Sequence, residues 1–277
     1  MSRVGVCSWS LQVASIPELE RALSSVGTDL VALGCGDPAH GSWIEGDGMP
    51  AAVRATGIRI AGTMIAFDGE DFSSPVAIRR TGGFNPPATR AERLARVRWA
   101  VERTVELGAS DLTLHVGHVP EPGDAERAAF VDALGRSAAH AREHGVTLCI
   151  ETGSDAPATL AACLAEVASP SLMVNFDAAN LVAGGHDDPV AAVATLAPYI
   201  RGVHVKDALP PTTEGEWGAE RPVGHGGVPW PAVLAALAGA GYGGPLCVER
   251  EGGTREERVI DVADAVAYVR ARLAEEP

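Results

Sequence analysis

The run Tyr199-Ile200-Arg201-Gly202-Val203-His204-Val205-Lys206-Asp207 reads as a buried strand, since its apolar residues are mostly β-branched. Its end carries His204 and Lys206 two residues apart, and residues i and i+2 of a strand point to one face. An imidazole and an ammonium on one face of a core strand are costly to bury unless something there uses them. Three other apolar runs end in carboxylates: Glu151 after Val146–Ile150, Asp177 after Leu172–Phe176, and Glu249 after Pro245–Val248. Two glutamates, an aspartate and a histidine at strand ends have the composition of a site for a hard or borderline divalent ion: Mn²⁺, Mg²⁺, Co²⁺ or Zn²⁺. A structural zinc site would be expected to use thiolates, so the set points to catalysis.

Outward from that run, short apolar segments alternate with Ala/Arg/Glu-rich segments of helical length. Strands are expected near residues 3–9, 29–35, 58–65, 111–116, 146–151, 172–177, 200–206 and 245–250. Helices are expected near 16–26, 47–56, 89–107, 124–143, 157–167, 187–197, 230–240 and 255–274. Ser15-Ile16-Pro17-Glu18 and Ser154-Asp155-Ala156-Pro157 each place a capping side chain ahead of a proline, and Gly108 and Gly145 close other helices. Eight such units predict a TIM-type (β/α)8 barrel forming a single domain over residues 1–277, with its active site at the C-terminal strand ends. An open doubly wound sheet is the competitor, but no Gly-x-Gly-x-x-Gly turn or P-loop recommends a nucleotide-binding version. In a barrel the four ligand candidates fall on consecutive strands, along one arc of the rim.

Two connections are long, Phe67 to Ala88 and Asp207 to Val228. Both follow strands, so both belong to the active-site face, where loops of this length act as lids or binding loops. The chain carries a net charge of −14, which argues against a nucleic-acid or anionic-membrane partner. No apolar stretch reaches the roughly 20 residues of a membrane span. Met1–Cys7 runs straight into a strand-like segment without a signal-peptide core, so a cytoplasmic location is expected. The five cysteines include no Cys-x-x-Cys pair, and Cys7, Cys149 and Cys247 lie in apolar runs as buried free thiols.

Taken together, Ile150-Glu151-Thr152, Asn175-Phe176-Asp177-Ala178-Ala179-Asn180-Leu181, His204-Val205-Lys206-Asp207 and Val248-Glu249-Arg250-Glu251 resemble the sugar phosphate isomerase/epimerase family. That family has the xylose isomerase-like TIM barrel, and its relatives include ketose 3-epimerases and inosose dehydratases. Pro222-Val223-Gly224-His225-Gly226 resembles the family's Gly-x-Gly loop, and Gly5-Val6-Cys7-Ser8-Trp9-Ser10 its N-terminal segment. The resemblance implies that Glu151, Asp177, His204 and Glu249 ligate one divalent metal ion. It also implies that Glu151 and Glu249 are the catalytic proton-transfer pair acting on a carbohydrate, and that homo-oligomers are common. One departure is Asn180, at a position where ketose 3-epimerases carry a histidine.

The chemistry accounts for the residue types. Moving a carbonyl, or inverting a carbon beside it, requires removing a C–H proton and stabilising an ene-diolate, which a metal ion and paired carboxylates provide. Epimerisation of a small sugar, sugar acid or cyclitol, isomerisation, and inosose-type dehydration all use this set. An endonuclease IV-like phosphodiesterase would want more strand-end histidines and a basic rim, and a non-catalytic sugar-binding barrel would not need both glutamates. Around the ligands, His115, Asn180, Lys206 and Trp9 are candidate substrate contacts. Lys206 either holds a substrate oxygen or phosphate or pairs with a rim carboxylate. His115 and Trp9 either face the pocket or fill core, His118 reads as loop, and Arg79-Arg80 either bind phosphate or point to solvent.

Overall fold

Eight strands hydrogen-bond in parallel around a closed barrel in a computed structural model that describes residues 3–35, 43–153, 155–186 and 188–275. In chain order they are β1 (Val4–Cys7), β2 (Leu30–Gly34), β3 (Arg59–Ile65), β4 (Asp111–Leu114), β5 (Thr147–Glu151), β6 (Leu172–Asp177), β7 (Ile200–Val205) and, after a small ribbon, β10 (Leu246–Val248). Neighbours run β1-β10-β7-β6-β5-β4-β3-β2 and back to β1. All eight expected strands are present, and β5, β6, β7 and β10 form one continuous arc.

Helices between the strands form the outer layer: α1 (Ile16–Val26), α2 (Met49–Arg54), α4 (Arg90–Glu106), α5 (Arg127–Glu143), α6 (Pro157–Val167), α8 (Pro189–Leu196), α9 (Trp230–Gly239) and α10 (Arg255–Glu275). The main core lies between sheet and helices, where residues such as Leu19, Leu112, Phe130 and Trp230 are buried. A smaller cluster of Cys7, Trp9, Ala32, Met64 and Cys247 is separate from it. All five cysteines are buried and free.

Local signals behave unevenly. Ser15 caps α1 by accepting from the Glu18 N–H at 3.3 Å, with proline in the first turn. The expected cap on α6 is absent among the described residues. Ala156 precedes Pro157 without a capping side chain, Asp155 turns to the Val119 N–H, and Ser154 lies outside the described residues. Two short helices, α3 (Pro75–Thr81) and α7 (Ala178–Ala183), were not expected. Ser74 caps α3 inside what reads as a loop, and the Asp177 carboxylate that ends β6 starts α7 at once by accepting from Ala179 and Asn180.

Both long connections are built rather than loose. In Asp207–Val228, β8 (Asp207–Ala208) and β9 (Glu220–Arg221) pair antiparallel. Asp207 then gathers the returning chain: its Oδ2 accepts from Gly224 and Gly226, and its Oδ1 from Ala208 and Val228, all at 2.9–3.0 Å. A Cβ at Gly226 would stand 2.1 Å from Asp207 Oδ1, so only glycine admits this approach. In the 67–88 connection, Glu70 accepts from the Phe67 and Gly83 N–H groups. Buried Arg93 of α4 donates to the carbonyls of Thr81, Gly83 and Asp68. The two connections meet where the Trp217 indole N–H donates to the Phe72 carbonyl at 2.9 Å.

Candidate metal centre

Glu151, Asp177, His204 and Glu249 converge at the C-terminal end of the barrel, each offering one ligand atom within 4.8 Å of all the others. Register explains the convergence. Asp177 pairs directly with His204 across β6 and β7, and Cys247, two residues before Glu249, pairs with the same histidine from β10. All four are buried, Asp177 completely. His204 turns Nδ1 toward Glu151 Oε1 at 2.8 Å and Glu249 Oε2 at 3.5 Å.

Each of the three carboxylates is held by one oxygen and leaves the other over. Glu249 Oε1 accepts from the Trp9 indole N–H at 2.6 Å. Asp177 Oδ1 is occupied by the first turn of α7. Glu151 Oε1 faces His204. That leaves Glu151 Oε2, Asp177 Oδ2 and Glu249 Oε2 buried without a hydrogen bond. His115 Nε2 at 3.1 Å from Glu151 Oε2 and Lys206 Nζ at 3.4 Å from Glu249 Oε2 stand near them but not in hydrogen-bond geometry.

Three buried carboxylates with unused oxygens cost folding free energy unless a cation joins them. The electrostatics follow. Burial pushes the Asp177 carboxyl well above the usual carboxylate range, with Glu249 and Glu151 pushing the same way against Lys206 and His204. Burial works against Glu249 too, yet Lys206 and His204 hold its carboxyl well below the usual range. An ion bonded to its ligands at about 2.0–2.4 Å joins atoms no more than about 4.8 Å apart. The donor set is three carboxylates and an imidazole, so the residues present fit one divalent ion.

Above the cluster opens a pocket of about 430 Å³ whose walls include Glu151 and Glu249. Trp9 lines it, with its ring 5.7 Å from that of His204, so Trp9 both walls the pocket and packs in the smaller buried cluster. His115, Asn180 and Lys206 line it as well. Asn180 donates from Nδ2 to the Thr152 carbonyl at 3.1 Å. Lys206, the chain's only lysine, forms ion pairs with Glu251 and Glu249, so its rim-carboxylate reading describes the structure. Burial would lower its pKa, but Glu249, Glu251 and Asp177 hold the ammonium well above the ordinary lysine value.

Arg79 and Arg80 are exposed on α3 and absent from the pocket walls. His118 is more than loop: its Nδ1 stands 2.7 Å from Asp155 Oδ1, and Asp155 lines the pocket. Sequence reading missed Asp155, Glu220 and Glu251 as pocket carboxylates, and Phe72 and Trp217 as its aromatic wall. It also missed Cys7, whose thiol burial keeps protonated beside His204. The signal for Glu251 was its i, i+2 spacing from Glu249; the others depend on loop paths. A second group, Glu102, His140 and His144, lies on the outer helices away from this pocket.

A family model described as xylose isomerase-like TIM barrel matches residues 21–271, and the chain belongs to that family. Among curated proteins, L-ribulose-5-phosphate 3-epimerase UlaE of Salmonella paratyphi C (strain RKS4594) is 28% identical over 232 residues, covering 81% of this chain and 76% of its own. Among solved structures, a xylose isomerase domain protein from Planctomyces limnophilus superposes with a TM-score of 0.87 at 28% identity, covering 98% of this chain and 96% of its own. An L-ribulose 3-epimerase structure superposes with a TM-score of 0.74 at 19% identity, over 99% and 95% of the two chains; at that identity it shows the shared fold alone.

Proposed function

We propose that this chain is a divalent-metal-dependent isomerase or epimerase of a small sugar, sugar acid or cyclitol, acting on a carbon beside a carbonyl. The observation that carries the reading is the pair of buried glutamates, Glu151 and Glu249, whose free oxygens belong to a four-residue ligand set under a pocket. The curated relative named as a ribulose-phosphate epimerase supports it. Glu151, Asp177, His204 and Glu249 would hold the ion, which when bound would polarise the substrate carbonyl and stabilise charge on its oxygen.

The chain's own groups do the rest. The two glutamates enter from β5 and β10, at the two ends of the arc with β6 and β7 between them. One removes the C–H proton and the other returns one, which inverts the carbon. The Trp9 indole fixes the direction of the Glu249 carboxylate by its hydrogen bond, with Lys206 beside the second oxygen, and His115 stands beside Glu151. Asn180 offers a neutral amide to a substrate hydroxyl. The full chain acts as one barrel domain, in the cytoplasm, without nucleic-acid or membrane partners. The net charge of −14 supports the last point, and among the described residues no helix is long and apolar enough to cross a membrane.

The test is deuterium entry from heavy water into ketoses, sugar acids and inososes with manganese-loaded protein. Label appearing beside a carbonyl, and lost in Glu249→Gln, is the expected result. Loss of water from an inosose in place of exchange would make the enzyme a lyase on the same ligands. No turnover of any kind across the panel would overturn the reading.

A further inference from the structure

The pocket's charge is lopsided. Glu151, Asp155, Glu220, Glu249 and Glu251 line it and Asp177 lies behind them, whereas Lys206 is the one lysine and no arginine is in the walls. Lys206 is already held by Glu249 and Glu251, and Glu220 has Arg250 Nη1 2.9 Å away. A divalent ion added to those two cations still leaves an excess of negative charge. The stretches outside the described residues (1–2, 36–42, 154, 187 and 276–277) contain no lysine or arginine in the sequence, so they add no permanent cation.

Most backbone anion sites are also taken. TIM barrels frequently bind phosphate with loops after the last two barrel strands. Here four N–H groups of the loop after β7, from Ala208, Gly224, Gly226 and Val228, point at the chain's own Asp207 carboxylate, and in the loop after β10 those of Glu251 and Gly252 donate to Glu220. The first turn of α7 is likewise occupied by Asp177, whereas the first turn of α6 is uncapped, begins with Pro157, which has no N–H, and lies beside the Asp155 carboxylate. The apolar surface the pocket offers away from the ligands comes from Phe72, Ile78, Leu160 and Trp217.

Resting on the function proposed above, we infer that the site selects an uncharged, non-phosphorylated polyhydroxy ketone, packs its carbon chain against Phe72 and Trp217, and rejects sugar phosphates and sugar acids. The negative wall repels a phosphate or carboxylate, and among the described residues its lining holds no arginine and no unpaired lysine to compensate for desolvating it. This separates the chain from the curated relative whose name specifies a 5-phosphate substrate.

The experiment uses matched pairs, L-ribulose with L-ribulose 5-phosphate and further ketoses with their terminal phosphates, on manganese-loaded protein. Calorimetric affinity and deuterium exchange are both read. The free sugar should bind and exchange at least tenfold better in kcat/KM, equivalent to about 1.4 kcal/mol. Raising salt should narrow the gap by screening the repulsion, and Glu251→Gln should narrow it at least threefold by freeing Lys206. A phosphate that binds or exchanges as well as its free sugar overturns the inference and leaves the epimerase reading intact. Free sugars that bind better than their phosphates without exchange leave the inference standing and remove the epimerase reading. Failure of every pair to bind or exchange removes both.

Discussion

Trp9 and Lys206 address different oxygens of Glu249, the indole at 2.6 Å from Oε1 and the ammonium at 3.4 Å from Oε2. Glu249→Gln preserves shape while removing the base, so proton exchange should fall by roughly 10²–10⁴-fold with the circular dichroism spectrum unchanged. An unaltered exchange rate would remove Glu249 from its role. Trp9→Phe keeps a ring against His204 but loses the N–H; a hydrogen bond to a charged group of about 1.5 kcal/mol predicts roughly tenfold lower kcat with KM little changed. At this scale the sequence shows which polar types end the strands, because alternation makes a buried histidine or glutamate conspicuous. It does not show their partners. Cys7 beside His204 and His118 beside Asp155 come from residues far apart in the chain, and no spacing rule links them.

Asp207 holds four backbone N–H groups of one connection, so its removal leaves several donors of the same loop unsatisfied. Asp207→Ala should lower stability by at least about 2–3 kcal/mol. It should also speed hydrogen exchange at Gly224, Gly226 and Val228, with unchanged exchange contradicting the assignment. Gly226→Ala forces the same loop away through the 2.1 Å clash and should raise KM for the sugar several-fold. Both long connections were legible as lying on the pocket face from following strands, and they contribute Phe72, Ile78, Trp217 and Glu220 to its lining. Their internal order was not, because α3 is too short to show a periodicity and is started by a single capping side chain, Ser74, while β8 and β9 are only two residues each.

Across the molecule, the alternation of eight apolar runs with helical segments made the barrel legible, and closure brings the ends of β5, β6, β7 and β10 together. Register was not legible: the shifts between Val174 and Asn175 in the β6–β7 ladder, and between Val31 and Ala32 in the β2–β3 ladder, leave no mark in the residue pattern. Because the four ligand candidates come from four strands, an ion that binds them ties the arc together in the folded state only. Manganese at a hundred times its dissociation constant should therefore stabilise the protein by about 2.7 kcal/mol. For a chain of this size that raises Tm by about 5 °C or more. Chelator should reverse the shift, and a Tm indifferent to metal would show that the cluster does not bind it. The most direct test of the account is the metal count per chain after manganese loading and gel filtration, compared between the native protein and Asp177→Asn, which keeps a capping side chain on α7. Taking the difference removes any ion on the outer Glu102, His140 and His144 group. The account predicts one ion per chain lost in the variant, and equal counts in the two proteins would contradict it.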